Sequence, residues 1–73
     1  MTEVREEGVI TVNGEARGLP HPATVGALVE ALGRDGRGMA VALNEEVVTR
    51  GRWDETVLRA GDRVEVLGAA QGG

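Results

Sequence analysis

The sequence predicts an α+β domain: a mixed sheet of about four to five strands with one main helix packed on one face. Three observations predict it. The β-branched run Val9 to Val12 meets the turn pair Asn13-Gly14 and then a second extended stretch. One segment, 24–33, carries apolar residues at helical spacing. Further strand-like stretches follow at 39–44, 47–48 and 63–67. A hairpin, a crossover helix and more strands allow the first and last strands to lie side by side and parallel at the sheet centre. The end of the last strand then leaves from the middle of the sheet.

Taken in order, residues 1–8 (MTEVREEG) form a charged lead-in, expected to be disordered as chain ends commonly are. The domain proper is expected over 9–67, with 68–73 as a flexible tail. In the hairpin 9–19, Asn13 and Gly14 both accept positive φ, which suits a two-residue turn. Pro20 and Pro22 end the second strand, since proline removes a ladder donor, and place His21 in an exposed loop. Thr24 can cap the helix, Gly33 can take the left-handed position after it, and Val25, Leu28, Val29 and Leu32 make the buried stripe. Gly26 inside the helix costs on the order of 1 kcal/mol against Ala, so tertiary contacts must hold that turn.

The stretch 34–38 (RDGRG) reads as a loop, with neither the Lys and hydroxyl of a P-loop nor a dinucleotide spacing. MAVALN (39–44) has small or apolar residues on both faces, as for a strand covered on both sides. Glu45-Glu46 are read as the next turn and Val47-Val48 as a short return strand. TRGRWDET (49–56) reads as irregular, with Trp53 and Leu58 folding back onto the sheet. Gly61-Asp62 makes a turn, and Val64 and Val66 share one face of the last strand.

Composition narrows function. At 73 residues the chain is expected to bury about 60% of its unfolded surface, leaving a core with ~3–5 kcal/mol of net stability and no room for a large catalytic cleft. Without Cys and with one His, it holds no thiolate metal site, no cysteine nucleophile and no metal cluster. A net charge of −4 and a single aromatic residue, Trp53, argue against nucleic-acid binding, which needs basic surface and stacking platforms. All eight basic residues are Arg. Neither a leader-like segment nor a bilayer-length apolar run is expected, so the cytoplasm is the expected location.

That leaves the tail. After VEVL come Gly68, Ala69, Ala70 and Gln71, then Gly72 and Gly73. Residues without bulk give reach, and two glycines lacking Cβ can thread a narrow site in any backbone conformation. A tail projecting from a rigid scaffold is suited to presenting something.

The segment AVALNEEVVTRGRW…LRAGDRVEVLGAAQGG resembles the thiamine-biosynthesis sulfur carrier protein (ThiS) family of the ubiquitin-like β-grasp superfamily. Asn13, Thr24-Val25, Ala42-Leu43-Asn44, Arg50, Trp53, Gly61-Asp62 and Gly72-Gly73 fall in the family's order and spacing, from Val9 to Gly73. Thr49 stands where proline is common in the family, and the tail is more polar than many of its tails.

The resemblance implies a β-grasp fold and a carrier rather than an enzyme, with no catalytic or metal residues and no bound cofactor. Its reactive group would be the α-carboxylate of Gly73, with Gly72 and Gln71 as the tail leading to it. A ThiF-like adenylating enzyme would spend ATP to activate that carboxylate, and a sulfur-donating persulfide protein would convert it to a thiocarboxylate. A ThiG-like thiazole synthase would then take the sulfur. Trp53, Arg50 and the exposed sheet face are candidate docking surface, and for Trp53 a core-filling role is the favoured reading. The free chain is expected to be a monomer that engages neither nucleic acid nor membrane. Other carriers of the same fold remain open: the small subunit of molybdopterin synthase, and those for tRNA thiolation, cysteine or secondary-metabolite synthesis. So do a ubiquitin-like modifier joined to lysines and an interaction domain with an inert tail.

Overall fold

The computed structural model describes residues 8–33 and 37–68. Residues 1–7 of the expected lead-in, 34–36 of the loop and 69–73 of the tail lie outside the described residues.

Strand β1 (Val9–Val12) turns at Asn13 (φ +52) and Gly14 (φ +87) into β2 (Glu15–Gly18). These two positive φ values are what a tight hairpin needs to keep the strands' natural twist. Pro20 to Pro22 then carry the chain away from the sheet, with His21 exposed and the His21–Pro22 bond cis.

Helix α1 (Val25–Ala31) starts where Thr24 Oγ1 accepts from the Ala27 N–H at 3.1 Å. The Val25 N–H, another donor the first turn leaves over, donates to the Thr56 carbonyl at 3.0 Å, so the start of the helix is sewn to residues 56–58. Gly33, at φ +79, takes the left-handed position just beyond the helix.

Strands β3 (Met39–Leu43) and β4 (Glu46–Val48) form a second hairpin, and β5 (Arg63–Gly68) completes the sheet in the order β2-β1-β5-β3-β4. β1 and β5 run parallel, while β3 is antiparallel to both of its neighbours. The last strand is central, as expected. One helix over a five-stranded mixed sheet in this order is the β-grasp fold.

Ile10, Val12, Val25, Leu28, Val29, Val41, Trp53, Leu58 and Val64 form one buried cluster between helix and sheet. Leu32 and Val66 pack against it half-buried. The helical stripe and the Val64/Val66 face therefore lie where their spacing put them.

Three expectations are corrected. Among the described residues β3 is covered on one face only: Val41 is buried, but Ala40 is exposed, because α1 and the core it covers lie on one side of the sheet. The second turn is Asn44-Glu45, not Glu45-Glu46. Asn44 (φ +51) and Glu45 (φ +76) occupy its two left-handed positions, and Glu46 already pairs with Leu43. Residues 50–55 are not irregular but form a 3-10 helix, Arg50–Glu55, which drives Trp53 into the core.

Candidate functional site

The candidate site begins with β5, the strand that leads towards Gly73. Its start is fixed by the turn at Gly61-Asp62. Asp62 Oδ2 accepts from the Arg59 N–H at 2.8 Å, and Asp62 N–H returns to the Arg59 carbonyl at 3.0 Å. Asn44 then clamps this turn from the β3–β4 hairpin. Its Nδ2 donates to Asp62 Oδ1 at 3.1 Å, its Oδ1 accepts from the Arg63 N–H at 2.9 Å, and its own N–H donates to the Arg63 carbonyl at 2.7 Å. Arg63 and Glu45 add an exposed ion pair at 2.6 Å, a contact that contributes only ~0–1 kcal/mol in such surroundings.

Towards its other end, β5 is gripped by Asn13. Oδ1 accepts from the Val66 N–H at 2.8 Å, and Nδ2 donates to the Val66 carbonyl at 3.1 Å. On the opposite side β3 pairs with β5 as far as Met39↔Gly68. The strand is thus held along its length up to the last described residue.

Of the expected site residues, Gly73, Gly72 and Gln71 lie outside the described residues. Trp53 is 6% exposed, its Nε1 donating to the Val48 carbonyl at 2.9 Å, which is the geometry of a core residue. Arg50 lies exposed over it, the guanidinium carbon 5.7 Å from the ring centroid. The two come together at a hollow of about 690 Å³ between α1 and the 3-10 helix, which Gly26, Glu30 and Asp54 also line. Among the described residues no group of three or more His, Asp or Glu could hold a metal ion. No described helix is long and apolar enough to cross a membrane.

Two features of the site went beyond the sequence reading. The first is which residues make up the exposed sheet face expected for docking: Leu67, 68% exposed and paired with Ala40, and Val47, 76% exposed and paired with Ala42. The signal was there, since Leu67 falls out of phase with Val64 and Val66 and so had to face away from the core. The second is that Asn13 and Asn44 are more than turn residues, because both reach β5. That depends on contacts across 53 and 19 positions, which no local pattern reports.

Comparison with known proteins agrees with this geometry. A model of the ThiS family matches residues 10–73. The chain is 34% identical over 64 residues to a thiazole synthase of Paramagnetospirillum magneticum, a match covering 88% of this chain. It spans 20% of that protein's length. The crystal structure of the thiamine biosynthesis protein ThiS from Geobacter metallireducens aligns with a TM-score of 0.70 at 33% identity, over 89% of this chain and 99% of that one. With sheet order, central last strand and a match running from Ile10 to Gly73, the chain belongs to the ThiS family.

Proposed function

We propose that this chain is a sulfur carrier for thiazole formation in thiamine biosynthesis, with the α-carboxylate of Gly73 as its working group. The observation that carries the reading is the central β5. A strand held on both sides leads directly into residues 69–73, and the family match includes Gly72 and Gly73.

The chemistry follows from what a carboxylate lacks. Its oxygen is a poor leaving group, so a ThiF-like adenylating enzyme is needed. A Gly73 carboxylate oxygen attacks the α-phosphate of ATP, pyrophosphate departs, and an acyl-adenylate forms. The terminal sulfur of a protein persulfide then displaces AMP to give an acyl disulfide. A second thiol attacks the persulfide protein's own sulfur, so that the S–S bond breaks, a new disulfide forms between the two thiols and the thiocarboxylate leaves. The chain acts as a cosubstrate and not as a catalyst, and ATP is consumed by the partner. The resulting sulfur is soft and nucleophilic, suited to transfer onto a thiazole precursor. Similarity to a segment of a protein called thiazole synthase supports a ThiG-like synthase as the acceptor. Ordering a tail on binding costs ~1–2 kcal/mol per residue fixed, so a folded surface must supply the anchoring. The exposed Leu67 and Val47 face is suited to that role, and Arg50 beside Trp53 offers a charged contact.

The test is intact mass of the chain from cells co-expressing the pathway partners, before and after iodoacetamide. The chain has no Cys. The expected result is replacement of one oxygen by sulfur and a single alkylation, both lost when Gly73 is deleted. An unmodified, unreactive chain beside a demonstrably active adenylating enzyme rejects the proposal.

A further inference from the structure

In a parallel pair, a residue facing its neighbour donates its N–H to one carbonyl and accepts at its own carbonyl from the N–H two residues further along. The β1–β5 ladder follows this rule: the Thr11 N–H donates to the Asp62 carbonyl at 3.0 Å and the Asn13 N–H to the Val64 carbonyl at 2.9 Å. The next bond in the series would run from the Val66 N–H to the Asn13 carbonyl. Asn13 is instead left-handed and turns the chain into β2. Its side chain takes over. Oδ1 receives the Val66 N–H that the backbone carbonyl would have received. Nδ2 serves the Val66 carbonyl, as the N–H of residue 15 would have done had β1 continued. The backbone register between these strands ends at Val12↔Val64, so one side-chain amide lengthens the ladder by a full repeat.

We propose that Asn13 is a positioning residue for the chemistry at Gly73: by substituting for the missing strand, its amide fixes the end of β5 and hence where the tail is delivered to an adenylating enzyme. This rests on the carrier reading above. An amide offers an acceptor and a donor on one planar group, as a peptide unit does, and a carboxylate at neutral pH does not. Glu15 and Arg17 of β2 are the charged residues that line the same hollow as Asn13, Val66 and Gly68.

The experiment measures the rate of C-terminal modification by the adenylating enzyme with ATP and a persulfide donor, for wild type, Asn13→Gly, Asn13→Asp and Asn44→Gly. Asn13→Gly keeps the turn conformation and removes only the amide. Asn44→Gly removes the equivalent grip at the opposite end of β5 and serves as the control for general loosening. The expected result is about a tenfold slower modification for Asn13→Gly, the scale of one lost hydrogen-bond pair, and a distinctly smaller slowing for Asn44→Gly, whose bonds lie at the end of β5 away from the tail. Asn13→Asp is slowed at neutral pH, where a carboxylate faces the Val66 carbonyl, and recovers relative to wild type on acidification, when the protonated group regains a donor. Asn13→Gly shows no such recovery. Hydrogen exchange at the Val66 amide, which needs no partner, accelerates in Asn13→Gly and not in Asn13→Asp, which keeps an acceptor for that N–H. Modification of Asn13→Gly at the wild-type rate, equal slowing by Asn44→Gly, or unchanged Val66 exchange in Asn13→Gly overturns the proposal. A wild-type chain that is never modified by an active enzyme overturns the carrier reading, and this proposal with it.

Discussion

Asn13 and Asn44 share a backbone conformation, φ +52 and φ +51, and a target, the last strand. Asparagine tolerates the left-handed region better than most residues and carries an amide that can reach backbone groups. Glu45, next to Asn44, has φ +76 without that advantage. Its side chain gains the exposed ion pair with Arg63, which does not offset a left-handed penalty of ~1–2 kcal/mol. Glu45→Gly is therefore expected to raise stability by ~0.5–1 kcal/mol, read as a higher urea midpoint with an unchanged slope. Trp53→Phe is expected to lower it by ~1–3 kcal/mol, because the half-buried Val48 carbonyl loses the Nε1 donor that satisfies it.

Among elements, α1 and the 3-10 helix depend on each other. The carboxylate of Asp54 occupies the space into which a Cβ on Gly26 would project. Gly26 is thus the tertiary accommodation its poor helix propensity called for. A double-mutant cycle checks this. Gly26→Ala is expected to be near neutral while Asp54 is present, because its exposed carboxylate must swing aside, and to stabilise by ~1 kcal/mol in an Asp54→Ala background, measured by thermal unfolding. The hairpin, the helix and its caps were legible because their signals are local: Asn13-Gly14, Thr24, and the Val25/Leu28/Val29/Leu32 stripe. The 3-10 helix was not. RGRWDE has no helical stripe of its own and is shaped by Trp53 seeking the core and by residues 56–58 bonding to the start of α1. Asn44-Glu45 was missed because glutamate is a poor turn signal at a left-handed position.

At the scale of the molecule, one small cluster holds everything. Leu28 is 1% exposed, and truncation of such a side chain costs ~2–5 kcal/mol, comparable to the ~3–5 kcal/mol a core of this size supplies. Leu28→Ala is expected to leave a large fraction of the chain unfolded at 37 °C, seen as loss of the cooperative far-ultraviolet transition. The reading of the tail as a working site rests on composition and resemblance. The contact of Asn13 with Val66 was not legible, because it joins residues 53 positions apart.

The strand at the middle of the sheet is also the last of the described strands. During synthesis the two hairpins, β1–β2 and β3–β4, emerge first but share no direct edge, since β5 lies between them. A nascent chain lacking Arg63–Gly68 is two separate hairpins and a helix with nothing complete to cover, and isolated hairpins are marginal in water. Folding therefore waits for the segment that bears the tail. A ribosome that stalls before residue 63 releases no folded scaffold, so a partner that recognises the folded sheet meets only chains whose translation has passed through the final strand.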